Sequence, residues 1–198
     1  MDLQKEIVHI LVNKKLLMKI IHLFIFVLVS TLVVAEELPP KVITQQYENW
    51  TYQCIESTDK KKCEVSQSVR IQNSNINCSI VYSKFYNSKN QLNKIIRIIS
   101  PLGIDLQSNL QLKFDDNEII ELKWANCESF GCLVLLTTDT EIKDEQAQYD
   151  KVYESLIKSQ KLLMSVKGFS NKQVINIDTN LAGFSKASKQ LDLVKLIN

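Results

Sequence analysis

Leu110-Gln111-Leu112-Lys113-Phe114-Asp115-Asp116-Asn117-Glu118-Ile119-Ile120-Glu121-Leu122-Lys123 reads as a β-hairpin. Its first five residues alternate apolar and polar, the period at which successive strand side chains point to opposite faces. Asp115-Asp116-Asn117 supplies the turn, and Glu118 to Lys123 the return strand. Just beyond, Cys127-Glu128-Ser129-Phe130-Gly131-Cys132 predicts a second hairpin that leads into an apolar strand, Leu133 to Leu136. Two hairpins in close succession point to an antiparallel, mainly β domain.

The flanking sequence agrees. Trp50-Thr51-Tyr52-Gln53-Cys54-Ile55 is aromatic and β-branched, so it predicts a strand. Ser66 to Gln72 alternates again, Asn73-Ser74-Asn75 supplies a turn, and the next strand puts Ile76, Cys78, Ile80 and Tyr82 on one face. Leu92 to Ile99 fits a helical stripe as well as a buried strand. Its isoleucines and the stop at Ser100-Pro101-Leu102-Gly103 favour the strand. Lys60-Lys61-Lys62 reads as a solvated loop tip, since Glu56, Asp59 and Glu64 offset it against a polyanion contact.

Downstream, Thr138 to Gln160 is charged and helix-permissive. Tyr149, Val152, Tyr153 and Leu156 recur on one face of that helix. The simpler expectation packs this face on the sheet; the sharper one makes it a face for a protein partner. Lys161 to Val166 and Gln173 to Ile177 form a last strand pair, and Asn180 is placed to N-cap a short helix carrying Leu181, Phe184, Ala187 and Leu191. The expected fold is an antiparallel β-sandwich or barrel-like domain over 47–198, with one amphipathic helix and a short C-terminal helix.

The N-terminal region is of another kind. Lys14, Lys15 and Lys19 precede an apolar run from Ile20 to Ala35 that ends in Val33-Val34-Ala35. A basic start, a short apolar middle and a small-residue exit are what signal peptidase reads. Residues 1–35 are therefore expected to be a cleaved signal peptide, with Met18 as an alternative start, and 36–46 a linker opened by Pro39-Pro40. The competing reading is an uncleaved anchor, but sixteen helical residues span ~24 Å, short of the ~30 Å hydrocarbon core. No membrane span is expected after cleavage.

Composition then excludes chemistry. Of the 24 basic and 22 acidic residues, four basic and two acidic lie within 1–35, so the mature chain carries no net charge. That gives no electrostatic surface for nucleic acid. Both histidines, His9 and His22, also lie in the leader. A mature domain without histidine has no Ser-His-Asp or Cys-His catalysis and no histidine-ligated zinc. No metal or cofactor is expected. The densest acidic cluster, Asp115, Asp116, Glu118 and Glu121, reads more simply as turn and solvent-face residues than as a carboxylate pair for hydrolysis.

Five cysteines remain: Cys54, Cys63, Cys78, Cys127 and Cys132. In an oxidising compartment they form a disulfide framework. Sequence does not choose among the fifteen ways of drawing two bridges; proximity suggests Cys54–Cys63 and Cys127–Cys132. Cys78, among apolar neighbours, is then a buried free thiol, with an intermolecular bridge as the alternative. Four residues separate Cys127 from Cys132, which is not the C-x-x-C spacing of thiol redox catalysis.

These landmarks, in this order, resemble the invasion-associated locus B family of secreted α-proteobacterial proteins. The matching segments are Trp50 to Cys54, Cys63 with Ser66-Gln67, Ser100-Pro101-Leu102-Gly103-Ile104, Cys127 to Cys132 with Gly131, and Asn180-Leu181-Ala182-Gly183-Phe184. The resemblance implies a β-sandwich or barrel-like domain with a C-terminal helix, in the periplasm or outside the cell, with the same two local disulfides. It implies a role in host-cell invasion or survival and supplies no catalytic residues. Cys78 and the length of Glu141 to Lys158 depart from the family pattern. The expectation is a non-enzymatic exported protein whose partner lies in the envelope or on a host surface. The alternatives are a structural or stress-related periplasmic component and a histidine-free hydrolase.

Overall fold

The computed structural model describes residues 39–57, 61–70 and 77–194. The leader 1–35, the Asn73-Ser74-Asn75 turn, Lys60 and Ile76 lie outside the described residues. Eleven strands and two helices are described: β1 (Lys41–Tyr47), β2 (Trp50–Glu56), β3 (Lys61–Arg70), β4 (Asn77–Tyr86), β5 (Leu92–Ser100), β6 (Leu110–Phe114), β7 (Ile120–Leu122), β8 (Asn126–Glu128), β9 (Gly131–Thr137), α1 (Lys143–Lys158), β10 (Lys161–Lys167), β11 (Val174–Asn180) and α2 (Phe184–Leu193).

Two antiparallel sheets result, ordered β1-β2-β3-β4-β5-β9-β8 and β11-β10-β6-β7. Both are open, so the arrangement is sandwich-like and no closed barrel forms. Period-2 alternation explains which residues face inward. Trp50, Tyr52 and Cys54 of β2, Ile80 and Tyr82 of β4, Ile96 and Ile98 of β5, and Leu110, Leu112 and Phe114 of β6 enter one core with Leu162, Met164, Leu156, Phe184 and Leu191. Each fully buried aliphatic or Phe side chain stabilises the fold by about 1.5–3 kcal/mol.

Four expectations need correcting. The linker over 36–46 is not a linker from Lys41 onward: Val42-Ile43-Thr44 is β-branched, and β1 pairs with β2 along all seven residues, Lys41 opposite Glu56 to Tyr47 opposite Trp50. Lys61 and Lys62 are not a loop tip but open β3, because the Cys54–Cys63 pairing extends the ladder to Lys61 opposite Glu56, where a 3.6 Å ion pair forms. The return strand after Asp115-Asp116-Asn117 narrows to Ile120–Leu122. Asn180 does not N-cap the last helix. It closes β11, its Oδ1 accepts from the Ala182 N–H, and Gly183 is the N-cap residue.

Candidate functional site

The helix face offered to a partner is spent inside. Tyr149, Val152 and Leu156 are buried, and Tyr153 is half-buried. Tyr153 stacks parallel to Tyr149 at 5.9 Å, meets Tyr82 of β4 at 5.2 Å and Phe184 of α2 at 6.1 Å. Trp50 closes the cluster against Phe184 at 4.7 Å. The reading of Tyr149, Val152, Tyr153 and Leu156 as a partner face is therefore corrected: an aromatic stripe at helical spacing finds its apolar surface on the sheet. Burial holds the phenols of Tyr82 and Tyr149 well above their ordinary range, so neither ionises near neutrality.

Lys84 follows Tyr82 on the inward face of β4, a position the alternation of that strand assigns to the core. It is buried, and its Nζ donates to the Asp192 and Val194 carbonyls at 3.1 and 3.2 Å, closing the C-terminus of α2. Burial lowers its pKa, partly offset by Asp192, with Lys94 lowering it further. Sequence alone offered no signal for this cap beyond the parity of β4.

Cys54 joins Cys63, and Cys127 joins Cys132. In both cases the two residues face each other directly across an antiparallel ladder, with Cα atoms 4.1 and 3.9 Å apart. Opposed residues of such a ladder present their side chains on the same face, which lets a bridge form without bending either strand. The first bridge lies in the core, where the Tyr52 hydroxyl sits 2.8 Å from Cys54 Sγ. The second is at the sheet edge, with Cys127 exposed and Phe130 at the turn 64 % exposed. Cys78 is free and buried, its thiol pushed up to about 12 by burial. A thiol held protonated is a poor nucleophile.

Asp115, Asp116, Glu118 and Glu121 do not share one cleft. Asp115 takes the backbone N–H groups of Gln160 and Lys161, tying the β6–β7 turn to β10. Glu121 lines a cleft of about 370 Å³ with Asp144 and Glu145. The amides of Asn109 and Gln111 donate to it and hold its carboxyl below the usual range, the opposite of what a general acid needs. Asp116 and Glu118 are exposed. Among the described residues no group of three or more His, Cys, Asp or Glu is arranged to hold a metal ion.

Among the described residues, what remains open is the outer face of the seven-stranded sheet. The register carries Val42 across to Ile55, and Ser83 across to Ile95, with Arg97 opposite Leu135. Val42, Ile55 and Leu135 are each more than two-fifths exposed. A groove of about 440 Å³ crosses this face, lined by Ile55, Phe85 and Ile95 with Lys62, Glu64 and Arg97. Arg97 donates to Glu64 at 3.1 Å. This face thus combines exposed apolar side chains with one ion pair in its middle.

The segments that carried the resemblance meet in two places. Trp50 Nε1 donates to the Leu181 carbonyl, and the Asn49 and Gln67 amides donate to the Asn180 carbonyl. Gly183, at φ 97°, lies so close to the Tyr47 carbonyl that a Cβ there would overlap it. At the second place Ser100 pairs with Cys132, and Gly131, at φ 150°, leaves no room for a Cβ beside the Ser100 carbonyl. The model of the family described as "Invasion associated locus B (IalB) protein" matches residues 50–192, a span that takes in all five of those segments. The chain belongs to the IalB family. Among solved structures, the IalB fold recurs in the invasion associated protein B of Bartonella henselae, 20 % identical, with a TM-score of 0.55 over 76 % of this chain and 96 % of that one. No curated protein matches the chain. The residues that mark IalB membership here thus hold strands and helices together, and two of them, Gln53 and Cys63, also line the groove of the open sheet face.

Proposed function

We propose that this IalB-family chain is an exported, non-enzymatic protein that binds a protein partner, in the envelope or on a host surface, through the outer face of its seven-stranded sheet. The observation that carries the reading is that face: Val42, Ile55 and Leu135 exposed beside a groove in which Arg97 is paired with Glu64. Two disulfides support an oxidising compartment, where such bridges persist. The part in invasion rests on the family's description.

The test has two arms. Fractionation with intact-mass analysis should find protein outside the cytosol that has lost residues 1–35 and four cysteine hydrogens; a reduced, unprocessed cytosolic chain would end the export reading. Ile55→Glu and Leu135→Glu, both at exposed positions, should leave near-UV circular dichroism intact. Each should weaken capture by isolated envelopes or host-cell surfaces by about tenfold, as loss of an apolar anchor does. Capture at the wild-type level by both variants would remove the sheet face from consideration. Capture by envelopes alone would select a periplasmic role without a host target.

A further inference from the structure

The four sheet edges are not alike. β7 and β8 are three residues each, and β8 is held by the Cys127–Cys132 bridge. β11 carries Asp178 in its middle, and the Asn180 carbonyl at its end is taken by the Asn49 and Gln67 amides. Short strands, edge charges and occupied carbonyls are the devices that stop a sheet edge from recruiting another strand. Of these devices β1 has within its span only one charge, Lys41, at its first residue. It runs seven residues in unbroken register with β2, has no proline after Pro40, and six of its seven residues are exposed. Among the described residues it pairs on one side only.

We infer that β1 is a homodimerisation edge, which pairs antiparallel with β1 of a second copy about a two-fold axis at Thr44. This register alone matches all seven residues, setting Lys41 opposite Tyr47 of the other copy, Val42 opposite Gln46, Ile43 opposite Gln45, and Thr44 opposite itself. The charges favour that arrangement. Lys41 is the one charged residue of the strand, and antiparallel pairing puts the two copies of it at opposite ends, about 20 Å apart at ~3.4 Å per residue. Each Lys41 then lies beside the end of the other strand, where Glu48 stands with its side chain about half exposed, 3.6 Å from Lys186. A parallel pairing would bring the lysines together and leave Glu48 aside. Symmetric pairing of one patch with itself is the commonest route to a soluble dimer. Here it would merge two seven-stranded sheets into one and place their outer apolar faces side by side.

Thr44 is exposed, so its substitution tests the contact without touching the core. Sedimentation equilibrium of the protein recovered from cells should give twice the chain mass, falling with dilution. Thr44→Lys and Thr44→Glu each set like charges face to face and should weaken the dimer by about fivefold, the effect of one unfavourable cross-strand pair. Mixing the two variants should restore wild-type association, because the opposed charges then attract. A wild-type monomer at every concentration would overturn the inference. So would a dimer insensitive to both substitutions, which would place the contact on another surface.

Discussion

Gly183 shows how much one residue can decide. Its positive φ and its contact with the Tyr47 carbonyl seat the first turn of α2 against β1. Gly183→Ala is expected to destabilise the domain by about 2–3 kcal/mol, read as a lower urea midpoint with unchanged slope. Cys78 makes an opposite case: a residue whose chemistry is silenced by its place. Native protein should leave it unmodified by a thiol reagent, while denatured, unreduced protein should label one thiol per chain; rapid native labelling would contradict its burial. Asp105 accepts from Lys172 Nζ at 3.0 Å, and that bond, with the Gln107 N–H and the Ser108 hydroxyl, holds its pKa below the ordinary value despite the opposing effect of burial. A depressed carboxylate contributes stability that is fully present above its unfolded value near 3.8 and is lost as pH falls through its folded value. Asp105→Asn should therefore lower the urea midpoint at neutral pH, and the gap from wild type should close on going below about pH 4.

At the scale of elements, the strands were legible and their ends were not. Trp50 to Ile55, Leu92 to Ile99, Leu110 to Phe114 and Leu133 to Leu136 could be read because alternation or β-branching is a local property. β1 was missed because Gln45-Gln46 and the leading prolines look like a linker, and only the pairing with β2 makes them a strand. The start of β3 at Lys61 was hidden for the same reason: a three-lysine run has no strand signal until Glu56 and Cys54 lie opposite. The helix stripe was legible as a stripe, but which surface would cover it depended on Tyr82 and Phe184, distant in sequence. The open sheet face left no trace in any one segment, since its residues come from six strands. The disulfides also act at this scale. Chain-entropy arguments give about 2 kcal/mol for closing the Cys127–Cys132 loop and about 3 for Cys54–Cys63. Paired Cys→Ala replacement should therefore lower stability more at Cys54 and Cys63, whose bridge is also buried; the reverse order in urea titrations would contradict the core placement of that bridge.

At the scale of the molecule, residues from both sheets and both helices share one core cluster. The expected outcome is a single cooperative transition. Near-UV signals from the Trp50–Phe184–Tyr82 cluster and far-UV signals from the strands should be lost together on heating. An early near-UV loss would mean that α1 and α2 come away from a sheet that survives them. The family-matching segments fit this picture. They occur at both ends of the domain and at the β5–β9 junction, where contacts of long sequence separation close the fold. Their resemblance therefore carried architecture well.

The bond from the Trp50 indole to the Leu181 carbonyl spans 131 residues, and Phe184 completes the packing around that ring. A chain delivered N-terminus first from a ribosome holds Trp50 without its partners until Leu181 and Phe184 have emerged. Long-separation contacts of this kind delay the rewarding step of folding. The order of synthesis thus leaves the early strands unfastened while the chain grows and commits them to a fixed shape only when the second helix is made.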